Sequence, residues 1–162
     1  MKKVLFVCLA IALMISPAVM LAAPVAANGA VQVVDIDIKP GSDPNSINVK
    51  SKGVLPVAIL GTAAFDVTQI DPVSVALGWD GDIHRVRDVP PLRWALEDVN
   101  GDGFTDFGLK FSMEELMTYT MTREPPGGLS MMLEFNLTDE FGGTHIESYD
   151  TVRIINKGYA SP

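Results

Sequence analysis

Apolar and polar residues alternate along much of the chain beyond residue 30. An apolar residue at every second position is typical of a strand with one face in the core and the other in water. Six segments show this pattern: residues 31–38, 73–77, 92–96, 107–111, 129–137 and 146–155. Residues 54–60 form a short continuous apolar run instead, which suits a strand buried on both faces. Together they predict an all-β fold, a single antiparallel β-sandwich or small barrel of seven to eight strands.

Local signals predict turns between these strands and one short helix. Lys39-Pro40-Gly41 fits a type II turn, because proline presets φ at the first central position and glycine accepts positive φ at the second. Pro56 has no amide donor, so we expect it at a sheet edge or a bulge. Ser112 and Glu115 have capping-box spacing, which predicts a helix of at most two turns over residues 112–117. Residues 124–128, rich in proline and glycine, predict an exposed loop.

The N-terminal residues 1–27 have the organisation of a secretory signal peptide. Lys2-Lys3 precedes an apolar stretch over residues 4–21, and Val25-Ala26-Ala27 provides a small-residue cleavage site. A transmembrane anchor is the alternative reading, but the apolar stretch is short for a span and no basic flank follows it. We expect a secreted protein (extracellular, cell surface or periplasm) whose mature chain is one β domain, residues 28–162, without a membrane span.

Charge and cysteine content narrow the function classes. The chain has 20 Asp and Glu against 12 Lys and Arg, a formal net charge of −8. This balance lacks the basic patch that neutralises phosphates, so we expect cations as partners and no nucleic acid. The one cysteine, Cys8, lies in the predicted signal peptide. The exported domain must therefore be held by its core, by bound metal or by both.

Residues 98–106 carry the strongest chemical signal. Side chains with oxygen atoms recur at alternate or near-alternate positions, namely Asp98, Asn100, Asp102 and Asp106. Calcium takes six to eight oxygen ligands, and three carboxylates in one short loop repel each other unless a cation lies between them. Gly103 provides the sharp turn at the sixth position, and Phe104 offers its backbone carbonyl at the seventh. The sequence predicts one Ca2+ bound by Asp98, Asn100, Asp102, Phe104 and Asp106.

An Asn100-Gly101 hairpin turn with solvated acids is the alternative interpretation of this loop. An ordinary hairpin, however, needs no aspartate at both flanks and again in the middle. A complete EF-hand is not expected, because Leu109 occupies the twelfth position in place of Glu and the flanks have strand periodicity. The loop resembles the shorter Asp-x-Asn-x-Asp-Gly-x-x-Asp loops of dockerins, thrombospondin type 3 repeats and integrin-type propeller blades. Further ligands would come from water or from Glu97, Asp80, Asp82 and Asp88.

A wider resemblance covers about residues 34 to 155. It rests on an Ile-Lys-Pro-Gly block, then Pro-Asn-x-Ile-Asn and Pro-Val-Ala-Ile-Leu blocks, within residues 36–42, 44–48 and 53–60. The spacing down to the loop at 97–103 and the ending at 150–154 are similar as well. These blocks resemble an essentially uncharacterised module of exported bacterial and archaeal proteins. The resemblance implies secretion and a calcium-type loop but no activity. Some relatives carry a Pro-Glu-Pro sorting tail that is not found here, so C-terminal surface anchoring is not expected.

Catalysis is not expected, because no recognisable catalytic constellation occurs. The sequence has no nucleophile elbow, phosphate-binding loop or His-Glu-x-x-His motif. His84 and His145 are far apart, and we expect each to be an ordinary surface or strand histidine. Paired carboxylates of a hydrolase stay an open alternative, since their spatial pairing is not visible in a sequence.

Two non-catalytic classes are left. A carbohydrate-binding module is the alternative function, with Trp79, Trp94 and Tyr119 as a candidate aromatic face. Trp94 is expected in the core, and Trp79 is the better candidate for exposure. Most features predict an exported calcium-binding β module with a structural or adhesion role. Its expected partners are a calcium ion and a cell-surface protein or polysaccharide.

Overall fold

The computed structural model of the chain describes residues 33–48, 50–80, 89–120 and 129–155. The elements in these ranges are β1 (Ile36–Ile38), β2 (Asn45–Asn48), β3 (Val54–Ile59), β4 (Ala76–Trp79), β5 (Arg93–Glu97), β6 (Asp106–Ser112), α1 (Met113–Thr120), β7 (Leu129–Asn136) and β8 (His145–Ile155). Short 3₁₀-helices cover Val67–Gln69, Pro72–Ser74 and Asp139–Phe141. Eight strands and one short helix confirm the predicted all-β fold. The predicted signal peptide, its cleavage site and the loop at 124–128 lie outside the described residues.

The described strands form two four-stranded sheets. Their orders are β1-β3-β6-β5 and β2-β8-β7-β4. Neighbouring strands are antiparallel except β2 and β8, which run parallel with Asn45 opposite Val152. The expectation of a purely antiparallel arrangement is wrong for this pair. About a hundred residues separate the two strands, so no tight turn imposes an antiparallel direction on them.

Inward side chains of both sheets belong to one hydrophobic cluster. Phe107 and Phe111 enter it from β6, and Phe135 enters it from β7, all of them fully buried. The ring of Phe65, from the connection between β3 and β4, lies 6.5 Å from that of Phe135. Burial of each such side chain contributes about 1.5–3 kcal/mol. Because the chain has a single cysteine and cannot close an internal disulfide, this core is its main source of stability.

Pro56 lies in a central strand, so its expected place at a sheet edge or a bulge is wrong. β3 pairs with β1 on one side and β6 on the other in continuous register. The Pro56 carbonyl accepts a hydrogen bond from Lys39 N (2.8 Å), just beyond the end of β1. Residues that form a hydrogen-bonded antiparallel pair exchange two backbone hydrogen bonds, N–H to C=O in each direction. A residue with an amide hydrogen at position 56 would therefore direct it towards the Lys39 carbonyl. That carbonyl accepts from Ser42 N (3.1 Å) instead. The φ of 81° at Gly41 agrees with the predicted type II turn.

Two other predicted boundaries shift for local reasons. Val73 was expected in a strand but is 91% exposed within the 3₁₀-helix Pro72–Ser74. Asp71 caps this turn by accepting from Val73 N, and a proline at its first position favours helical φ. The predicted helix near Ser112 is present, with Ser112 Oγ accepting from Glu115 N (3.3 Å). It extends three residues further than predicted, to Thr120. No helix of the described residues is long and apolar enough to cross a membrane.

Asp150 of β8 connects three strands from the two sheets. Its Oδ2 accepts hydrogen bonds from Ile38 N and from Asn45 Nδ2, each at 2.9 Å. Asp37 of β1 lies close to this carboxylate. Partial burial, and secondly the charge of Asp150, raise the pKa of Asp37 above its ordinary value. Ionisation of Asp37 is therefore less favourable in the folded chain than in the unfolded chain.

We expect Asp37→Asn to raise the melting temperature by a few degrees at pH 7. An acid whose pKa is raised in the folded state lowers the free energy of unfolding at neutral pH. This cost is relieved as the pH falls through the folded-state pKa towards the pKa of the unfolded chain. Thermal melts between pH 7 and pH 3 should show the two proteins converging at the acid end. A benefit of the substitution that grows towards pH 3 would contradict this.

Candidate metal sites

The predicted calcium loop connects β5 and β6 at the end of their ladder. Glu97 pairs with Asp106 there, and residues 98–105 form the connection. Gly101 and Gly103 have positive φ values of 78° and 90°, which glycine adopts without strain. The prediction that strands flank the loop is confirmed. Gly103 also makes the sharp turn expected at the sixth loop position.

Asp98 organises the first half of the loop. Its Oδ1 accepts a hydrogen bond from Gly101 N (2.8 Å), and its Oδ2 accepts one from Gly103 N (3.1 Å). Both carboxylate oxygens thus curl the backbone around one side chain. Since each carboxylate oxygen has about two lone-pair sites, both oxygens retain capacity for a cation.

Asn100 and Asp102 organise the second half in the same way. Asn100 Oδ1 accepts from Asp102 N (3.0 Å), and Asp102 Oδ1 accepts from Phe104 N (2.9 Å). The amide of Asn100 also donates to Asp102 Oδ2 (3.0 Å). Asp98, Asn100, Asp102 and Phe104 are all exposed, and the exposed fraction of Phe104 is 42%. Their oxygens are therefore accessible to a cation from solvent.

Asp106 has a different environment from the other predicted ligands. It is fully buried, with Oδ1 accepting from Gly61 N and Oδ2 accepting from Val99 N, each at 2.8 Å. A Cβ at position 61 would collide with the Thr105 carbonyl, so the close approach requires glycine. Asp106 thereby fastens the base of the loop to the segment after β3.

The structure brings the predicted ligands together only in part. Asp98, Asp102 and Asp106 do not form a group with carboxylate oxygens all within 4.8 Å of one another. The outer oxygens lie at the exposed tip, whereas Asp106 is directed into the base. Glu97, suggested as a further ligand, lies against Gly108 of β6. Asp80 directly follows β4, in the sheet that does not contain the loop strands, and Asp82 and Asp88 lie outside the described residues.

A second group of metal-ligating side chains was missed by the sequence reasoning. Glu134 of β7 and His145 and Glu147 of β8 each offer one ligand atom, and these atoms lie within 4.8 Å of one another. His145 and Glu147 have the two-residue spacing that places them on one strand face. Their partner on β7 follows only from the strand register, which no local pattern specifies.

The two described tryptophans reverse their predicted environments. Trp94 of β5 is 49% exposed and stacks on Phe107, with ring centroids 5.1 Å apart. Trp79 packs against the core, and its Nε1 donates to the Leu116 carbonyl (3.4 Å). Both strands lie at the edge of their sheet. The difference is in what covers them: every residue of β5 is exposed, whereas β4 has two buried residues and its Trp79 contacts helix α1. Nothing is described of the Tyr119 side chain.

No protein family, curated protein or solved structure matches the chain. The chemistry of both groups therefore follows from their own donor atoms. The loop offers hard oxygen donors, which suit calcium. The group on β7 and β8 adds a ring nitrogen, which suits zinc and related metals.

We expect Asp106→Ala to destabilise the protein by about 2–5 kcal/mol, even in the presence of chelator. The change leaves the amides of Gly61 and Val99 without their acceptor, and each unsatisfied buried group costs about 1–3 kcal/mol. Urea unfolding in calcium-free buffer measures the loss. Glu140→Ala, at an exposed position, should stay within about 0.5 kcal/mol of the parent. A loss below about 1 kcal/mol for Asp106→Ala would contradict the anchoring role.

Proposed function

We propose that the protein is an exported, non-catalytic β module that binds calcium through the loop at 98–106 and serves a structural or adhesion role. The observation that carries this proposal is the preorganised loop itself. Four oxygen-bearing side chains lie in nine residues, and three of them are held at the exposed tip by bonds to backbone amides. The acidic balance of the chain favours a cation as its ligand.

The loop divides the work of binding between its tip and its base. Asp98, Asn100 and Asp102 would supply side-chain oxygens, and Phe104 its carbonyl. Asp106 holds the base through its bonds to two amides, and it would add a ligand through the lone pairs that those bonds leave unused. Calcium tolerates irregular shells of six to eight oxygens, so waters can occupy the other positions. A cation would also relieve repulsion between the carboxylates.

The expected affinity is weak, because the loop has no bidentate Glu at its twelfth position. Extracellular calcium modules bind with Kd of about 10⁻⁴–10⁻³ M. Linkage then gives about 0.4–1.4 kcal/mol of stabilisation at roughly millimolar calcium. Magnesium should substitute poorly, since it demands near-octahedral geometry and loses its water reluctantly.

We expect millimolar calcium to raise the melting temperature by a few degrees relative to chelator. Asp102→Ala removes an exposed ligand without touching the buried anchor, so this variant should melt at the same temperature in both conditions. Asp139→Ala, at an exposed turn in the other half of the chain, should keep the full calcium response. Differential scanning calorimetry with calcium, magnesium and chelator separates these outcomes. Identical melting of the parent protein in calcium and chelator would refute the proposal.

Export is the part of the proposal that rests on sequence alone. The Lys2-Lys3 start, the apolar stretch and the site at Val25-Ala26-Ala27 support a signal peptide. Calcium is abundant outside cells, so a weak loop of this kind suits an extracellular, cell-surface or periplasmic protein. The sequence blocks within residues 36–60, which resemble exported modules, favour the same location. A cell-surface protein or polysaccharide is the partner we propose for the adhesion role.

A carbohydrate-binding role is the second candidate, and the exposed Trp94 favours it. An aromatic ring on a strand, with half-exposed Leu92 and Leu96 on either side, offers an apolar surface on which a sugar ring can stack. We expect Trp94→Ala to abolish retention on insoluble polysaccharides if this role holds, whereas Phe141→Ala, a similarly exposed aromatic position, should retain it. Pull-down assays measure the bound fraction, and absence of retention by the parent protein would contradict this candidate.

A further inference from the structure

We propose that Glu134, His145 and Glu147 form a second metal site, selective for a divalent metal of the zinc type and independent of the calcium loop. The three side chains lie on the sheet that contains β7 and β8, whereas the loop belongs to the other sheet. The group contains a ring nitrogen, so its donor set differs in kind from the all-oxygen loop. Nitrogen and carboxylate donors together suit zinc better than calcium.

Strand register, rather than a flexible loop, positions the ligands. Glu134 lies directly opposite Glu147, and Asn136 lies directly opposite His145, in the antiparallel pairing of β7 with β8. Positions 145, 147 and 149 are exposed along β8, and the residues between them are buried, so the polar side chains share the outer face. β7 and β8 are both interior strands of their sheet. Glu134 is paired on both sides, with Ala76 of β4 and Glu147 of β8, and the backbone of His145 and Glu147 is held by its pairing with β7.

The distances are close to those that a tetrahedral metal requires. His145 Nε2 lies 3.6 Å from Glu147 Oε1 and 4.0 Å from Glu134 Oε2. Zinc binds nitrogen at about 2.0–2.1 Å and carboxylate oxygen at about 2.0–2.2 Å, so two ligands of a tetrahedral site stand about 3.3–3.5 Å apart. Small side-chain rotations would bring the three donors to those separations. The His145 side chain is 52% exposed, so a metal can reach it from solvent.

A neighbouring hydrogen bond prepares the imidazole for coordination. His145 Nδ1 lies 2.9 Å from Asn136 Oδ1. An amide oxygen only accepts, so Nδ1 carries the hydrogen, and the neutral form of the ring directs the lone pair of Nε2 towards the two carboxylates. A lone pair facing negative oxygens is favourable when a cation lies between them. Metal-bound histidines commonly have such a partner on the second nitrogen, because it fixes the tautomer and the ring orientation.

Glu147 is oriented in a comparable way. The Tyr149 hydroxyl donates to Glu147 Oε2 at 2.8 Å. The other oxygen, Oε1, is the one nearest to His145 Nε2. The hydroxyl therefore directs one carboxylate oxygen towards the proposed metal position. Three protein ligands leave a fourth coordination position, which water would fill at this exposed site.

Equilibrium dialysis of the purified, untagged protein against Zn2+ tests the site. Millimolar calcium is kept in both compartments so that the loop does not compete, and bound zinc is measured by elemental mass spectrometry. We expect one zinc per chain. His145→Ala should remove this binding, and Glu147→Gln, which keeps the shape of the side chain, should weaken it at least tenfold. His84→Ala removes the only other histidine and should bind as the parent does.

The zinc and calcium responses of Asp102→Ala and His145→Ala separate this inference from the proposed function. Asp102→Ala should lose the calcium response and keep zinc, whereas His145→Ala should lose zinc and keep the calcium response. Asn136→Ala should weaken zinc binding by about 10–100-fold, as expected for a residue that orients a ligand. Far-UV circular dichroism verifies that each variant is folded. Absence of zinc binding by the parent would overturn the site. Folded His145→Ala and Glu147→Gln that bind zinc as tightly as the parent would also overturn it.

Discussion

Asp106 places a carboxylate where water does not reach, and the amides of Gly61 and Val99 donate to its two oxygens. Burial of a charged group is costly unless hydrogen bonds replace its hydration, so these two bonds set the positions of the segments that supply them. One segment follows β3 and the other begins the loop. The close approach of Gly61 to the Thr105 carbonyl is part of the same arrangement. The loop base is therefore determined by the interior of the domain.

The loop tip follows a different physical rule from its base. Asp98, Asn100 and Asp102 are exposed, and their side chains bond to amides within the loop itself. Their conformation depends on short-range geometry within the loop. A cation that binds there gains oxygens that are already gathered by the backbone, so less ordering accompanies binding. Substitution of Asp102 changes only the exposed tip of the loop, and substitution of Asp106 changes its buried base. Cation binding at the tip and attachment of the base can thus be tested separately.

Local pattern was sufficient for the features that depend on neighbouring residues. Alternation in residues 107–111 and 129–137 indicated strands, Ser112 and Glu115 indicated the helix start, and Gly103 indicated the loop turn. Features that depend on distant pairing were not predictable. The exposure of Trp94 depends on the lack of cover over β5, whose residues are all exposed. The parallel β2–β8 pair joins segments about a hundred residues apart. Glu134 meets His145 and Glu147 only through the register of β7 with β8.

The most direct test of calcium binding by the loop is a calcium titration of the ¹⁵N-labelled protein, followed through its backbone amide resonances. We expect saturable changes that fit one site, are largest for the amides of residues 98–106, and extend through Asp106 to the Gly61 amide. Zinc, added to the calcium-saturated protein, should shift a separate set around residues 134 and 145–147. Amide resonances of residues 98–106 that do not move at millimolar calcium, or calcium-dependent changes centred on another segment, would contradict calcium binding by the loop.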